Sequence, residues 1–149
     1  MKWVTRRNLH VDRTASAWLI RRFIDQDATF DMRGGAFSHD DGRCTFQALF
    51  EHFGLTGDGA LVEMGRIIHD ADVPPARTTR REAAGIDALL RGVQLGVPDD
   101  LEKLEVSRPM YDALYTYCRA KVAEVASQPS TPRPKLSYRR RLLVHLDDE

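Results

Sequence analysis

Between Val11 and Asp25 the chain reads VDRTASAWLIRRFID, and this run constrains the fold more than any other. Asp12 has the chemistry of an N-cap, and the residues after it favour a helix of about four turns ending at Asp25. At about 100° per residue, Ala15, Ala17, Trp18, Leu19, Ile20, Phe23 and Ile24 cover most of the circumference. Only Thr14, Arg21 and Asp25 share a clearly polar face. A helix this apolar belongs at the centre of a core. The same projection sets Arg22 between Trp18 and Ala15, and Arg13 between Ile20 and Ile24, so both arginines are expected to point inward. A guanidinium keeps its charge, so each then needs a carboxylate, backbone carbonyls or a bound anion.

The 149 residues suffice for one domain with a real core. A formal net charge of zero argues against a dedicated nucleic-acid binder, although Lys2, Arg6 and Arg7 and the run Arg139 to Arg141 are locally basic. Cys44 and Cys118 are too few for a disulfide framework or a four-cysteine zinc site, and they fit a reducing cytosol. No signal peptide is expected, and no apolar stretch approaches a membrane span.

Lys2–Arg6 reads as a weak strand, with Ala28–Met32 as a second one that could pair with it. The run 33–43, RGGAFSHDDGR, reads as a loop. Cys44–Phe53 is expected to be a helix closed by Gly54, with Phe46, Leu49, Phe50 and Phe53 as its core stripe. Asp58 caps a helix to about Asp70, whose buried face is Ala60, Leu61, Met64, Ile67 and Ile68. Glu63, Arg66 and Asp70 line its other face. Pro74 and Pro75 break it, and Arg80–Leu95 resumes with Ala83, Ile86, Leu90 and Val93 inward. A last long helix follows Pro98, with Met110, Leu114, Tyr117 and Val125 as core candidates. The expected fold is mainly α: a single helical domain over 1–126 with a small N-terminal β element, α+β being the alternative. Residues 127–149 read as a linker and tail.

Two clusters could carry chemistry. His39 and Cys44 place an imidazole and a thiol at what reads as a loop-to-helix junction. There the helix dipole would favour a thiolate, making Cys44 a candidate catalytic or redox group. The competing reading is a solvated loop histidine and a small half-buried cysteine. The second cluster is His69-Asp70-Ala71-Asp72, at a helix end before two prolines. With His39 these residues are candidate ligands for Zn²⁺, Mn²⁺ or Fe²⁺. The competing reading is local: His69 at the negative helix end, Asp72 in a turn, and Glu63, Arg66 and Asp70 forming surface ion pairs. Glu82 could reach an arginine or stabilise a helix start. Arg13 and Arg22 are candidate anion-binding residues or structural partners of carboxylates.

WVTR, VDRTASAWLIRRFID, the histidine followed five residues later by CTFQALFEHFGL, IIHDAD, EAAGIDALLRG and YDALYTYC occur in one order over about Trp3 to Cys118. Together they resemble the chromate-resistance protein family, specifically the ChrB-type C-terminal domain. The chain departs from that pattern in a short segment between Phe30 and Ser38, and in Gln47, where similar sequences tend to carry an acid. The resemblance implies a shortened, stand-alone version of a bacterial cytoplasmic protein tied to chromate resistance and stress response. Its expected role is metal or oxyanion binding for sensing or detoxification. The alternatives are a metal- or cysteine-dependent redox or hydrolytic enzyme, and a module that forms a homodimer through its last helix and tail.

Overall fold

The computed structural model describes residues 2–5, 7, 9–32, 37–39, 42–44, 46–72 and 80–128, with only the backbone described at 37–39 and 42–44. The order is β1 Lys2–Val4, α1 Val11–Leu19 running into a π-helical turn Ile20–Ile24, β2 Thr29–Asp31, β3 Phe37–His39, β4 Gly42–Cys44, α2 Phe46–His52, α3 Gly59–Ala71, α4 Arg81–Gly96 and α5 Asp100–Ser127. The architecture is mainly α with a small sheet.

That sheet has four strands in the order β2-β1-β3-β4. β1 and β2 pair in parallel, with Trp3 opposite Phe30, and α1 forms the connection between them. β1 pairs antiparallel with β3 at Val4 and Ser38, and β3 pairs antiparallel with β4. The two strands expected from sequence are present. β3 and β4 lie in the stretch read as a loop, and Cys44 ends a strand instead of opening a helix. α2 begins at Phe46.

α1 is the hub, packing against α2, α3, α4 and α5. Val11, Thr14, Ala15, Ser16, Ala17, Trp18 and Leu19 are all buried on it. Its buried Thr14 is satisfied locally and across the core: the Thr14 and Tyr111 hydroxyls lie 2.5 Å apart, and Tyr111 donates to the Val11 carbonyl at 2.9 Å. Burial pushes the Tyr111 hydroxyl far above its ordinary range, so it stays a neutral donor. At Gly65 on α3 an added Cβ would meet the rings of Phe46 and Phe50 at 3.3 Å, so α2 lies close against α3 there. α2 closes in a Schellman motif, with Gly54 at φ +69° and Leu55 donating to the Phe50 carbonyl at 2.8 Å.

The π turn corrects one expectation. It closes i→i+5 bonds, Asp25 donating to the Ile20 carbonyl at 2.7 Å, and so advances fewer degrees per residue than an α-helix. Arg22 therefore comes out exposed, not inward. Its guanidinium meets Asp112 at 2.6 Å and lies 4.7 Å from the centre of the Tyr115 ring. On α5, Leu114 is buried as expected and Met110 packs at the core edge, but Tyr117 and Val125 are exposed. Among the described residues no helix is long and apolar enough to cross a membrane. The tail expected over 127–149 lies outside the described residues apart from Ser127 and Gln128.

Candidate functional site

The ends of four helices meet at a cavity of about 1090 Å³. The segment entering α1 contributes Arg7, His10, Asp12 and Arg13; the start of α2 contributes Phe46 and Gln47. The second half of α3 and its cap contribute Gly65, Arg66, Ile68, His69, Asp70 and Asp72, and α4 contributes Gln94.

The carboxylates of this cavity fasten helices other than their own. A helix leaves its first N–H groups without internal partners, and an acceptor from elsewhere can take them. α1 starts at His10 with no side-chain cap, and the Asp12 N–H donates instead to the carboxyl of Asp72. Asp12, inside the first turn and not its N-cap, accepts from the N–H of Phe46 at 3.4 Å, where α2 begins. Asp70 accepts from the N–H of Arg80, the N-cap of α4, at 2.8 Å. Asp58 serves its own helix, accepting from Ala60 and Leu61 at 3.0 and 3.1 Å.

These roles crowd two acids together. Asp72 as a residue is exposed, yet its carboxyl faces protein: burial, and then the charge of Asp12, push it up to about 6, against the pull of His10. Burial also raises Asp12, offset in part by the Phe46 N–H, Arg13 and His69. His10 is held by Asp87, Nε2 to Oδ1 at 2.8 Å. A raised carboxyl binds its proton more tightly folded than unfolded, so its contribution to stability is lost as pH rises from the ordinary 3.8 through about 6. Asp72→Asn keeps an acceptor oxygen and carries no charge. It is expected to be more stable than the parent at pH 8 and no more stable at pH 4, read from urea midpoints at the two values. An equal difference at both would refute the crowding.

Beside the cavity lies a second charged group. Glu63 is buried on α3 and not part of a surface ion-pair row. Lys121 meets it at 2.8 Å, Arg80 at 3.2 Å and Arg66 at 3.5 Å. Burial opposes its charge, but these cations outweigh that and hold its carboxyl below the ordinary range. Glu82 joins through Lys121 at 3.0 Å.

Of the residues singled out in the sequence, Arg13, His69, Asp70 and Asp72 are brought together at the cavity. Arg22 is not among its lining residues and is engaged by Asp112. His39 lies opposite Gly42, and Cys44 opposite Phe37, in the β3–β4 register; their side chains lie outside the described residues. A thiolate argument from a helix N-terminus no longer applies to Cys44. Cys118 is buried, and burial with the nearby Glu63 charge pushes its thiol up to about 11, which makes it unreactive. Among the described residues no group of three or more His, Cys, Asp or Glu could hold a metal ion. Arg7, His10, Gln47, Arg66 and Gln94 were not read as site residues. The one available signal was the density of titratable groups in RNLHVDR, ahead of an apolar helix.

Fold and cavity define a mainly α domain with a polar, mixed-charge site built where helix ends converge. The chain belongs to the family described as ChrB, C-terminal domain, which matches residues 3–30 and 26–118. It is 39% identical over 132 residues to Protein ChrB of Cupriavidus metallidurans (strain ATCC 43123 / DSM 2839 / NBRC 102507 / CH34), an alignment covering 78% of this chain and 40% of that relative. The chain thus spans well under half of that protein's length. No solved structure matches it.

Proposed function

We propose that this chain is a cytoplasmic chromate-resistance domain that binds a small oxyanion in the cavity between α1, α2 and α3. The observation that carries the reading is the convergence of Arg7, Arg13 and Arg66 on one cavity, beside the positive end of α1. Guanidinium groups present paired donors that match tetrahedral oxyanions, and charge assistance strengthens each bond. Arg22, occupied by Asp112 on α5, has no part in it. Calorimetric titration with chromate and sulfate tests the reading. Arg13→Ala is expected to weaken binding about tenfold, since one charge-assisted hydrogen bond contributes about 1.5 kcal/mol or more. Arg22→Ala is expected to leave the affinity unchanged. No heat from either anion, or equal loss in both variants, would sink it.

A second reading is favoured by the Asp12–Asp72 crowding, which a divalent cation would relieve. His69 and Asp72 would then supply two of its ligands, since the described residues offer no group of three. Elemental analysis of protein purified without chelators separates the two readings, and His69→Ala should abolish any metal found.

A further inference from the structure

In the charged cluster beside the cavity, Arg66 lines the cavity, whereas Glu63, Arg80, Glu82 and Lys121 do not. The contacts of Glu63 with its cations are unequal. Its Oε1 receives the Lys121 ammonium at 2.8 Å and faces the Arg80 Nε at 3.2 Å. Its Oε2 faces the Arg66 Nη1 at 3.5 Å, beyond the usual length of a charge-assisted hydrogen bond. Against burial, which opposes the Glu63 charge, Lys121 does most to hold the carboxylate ionised and Arg66 least. The Arg66 side chain is also 60% exposed, against 11% for Glu63. Cations outnumber acids here, since Arg81 adds to the positive side at 3.7 Å from Glu82. Arg66 is therefore the surplus cation, the one whose departure leaves Glu63 paired.

We infer that Glu63 and an oxyanion in the cavity compete for the Arg66 guanidinium, so that Glu63 restrains binding from outside the site. The inference rests on the oxyanion reading and adds a positioning residue to it. Glu63 and Arg66 are neighbours on one face of α3, so exchanging the carboxylate for an anion asks Arg66 for a new rotamer and asks nothing of the backbone. What Arg66 gives up is a partly exposed pair, which limits the restraint to a few-fold in affinity. By linkage, whatever tightens Glu63 on Arg66 loosens the anion, and whatever removes the Glu63 charge tightens it. Lys121 reaches Glu63 from α5. That helix contributes nothing to the cavity lining among the described residues, yet it bears on the affinity of the site.

The test is calorimetric titration of the parent and its variants with sulfate and chromate at pH 8. Glu63→Gln keeps the shape and an acceptor oxygen, and is expected to bind about threefold more tightly, a gain that structural damage would not produce. Lys121→Met removes the best partner of Glu63, leaves its charge to Arg80 and Arg66, and is expected to bind about threefold more weakly. This second variant decides the matter should Glu63→Gln fail to fold. Glu82→Gln removes an equal charge that Lys121 and Arg81 meet, and is expected to leave the affinity unchanged. Arg66→Gln should bind about tenfold more weakly than the parent. In that background neither Glu63→Gln nor Lys121→Met should shift the affinity further. Shifts that persist without Arg66 would mean that the bare field of Glu63 acts on the anion, and would overturn the inference. So would unchanged binding in Glu63→Gln or Lys121→Met, equal gains in Glu63→Gln and Glu82→Gln, or parent affinity in Arg66→Gln. Any of these results leaves the oxyanion reading standing on Arg7 and Arg13. No heat from either anion in the parent would remove both.

Discussion

Trp18→Ala is expected to destabilise the domain by about 4 kcal/mol, within the range for emptying a large aromatic site in a core. The indole is buried and sits among Phe23, Tyr111 and Tyr115, with ring centres 5.7, 6.2 and 5.8 Å away. It also donates from Nε1 to Asp112 at 2.9 Å, the carboxylate that holds Arg22. Truncation opens a cavity between α1 and α5 that these rings can only partly refill. Trp18→Phe keeps most of the contact and loses the donor, so about 1–2 kcal/mol is expected. Urea midpoints should fall in that order with unchanged slope. Equal costs for both would show that the hydrogen bond, not the ring, carries the effect.

Glu63→Ala is expected to cost about 3 kcal/mol by a different route. It leaves Lys121, Arg80 and Arg66 facing one another, and removing one partner of a buried ion pair costs more than the pair itself contributes. Lys121 and Arg80 keep some exposure and can rehydrate in part, which places the effect at the lower end of the range for buried pairs. The pH dependence carries the signature. The lowered carboxyl stabilises the fold above its ordinary value of 4.5, and that contribution disappears as pH falls through the lower folded value. The gap between parent and variant should therefore narrow in acid. A gap constant down to pH 3 would mean that Glu63 acts through packing alone.

The local rules of the sequence carried far into the fold. Asp58 caps α3, Gly54 closes α2, and Leu61, Met64, Ile67 and Ile68 face the core, because each depends on residues within a few positions of one another. What was illegible depends on distant partners. A glycine- and aspartate-rich run became β3 and β4 because the edge of β1 was there to pair with β3 at Ser38. The helical projection failed at Arg22 because nothing in IRRFI announces a change from i→i+4 to i→i+5 bonding. At the site, Arg13, His69, Asp70 and Asp72 were legible as chemistry. Their capping duties were not: Asp12 acts 34 positions away and Asp70 acts 10 away. The acid expected in relatives where Gln47 stands would fall on the cavity wall, so this departure bears on the lining and not on a remote surface.

The borrowed caps have a consequence for how this domain comes apart. Helix ends ordinarily fray singly, each on its own local free energy. Here the first turn of α1 is tied to the last residue beyond α3, that of α2 to α1, and that of α4 to α3. Loosening one joint releases a donor in a neighbour, so the three starts are expected to open together in amide exchange, as one unit. The wall around the cavity is thereby a clasp with a single latch, and its stiffness is set before anything enters.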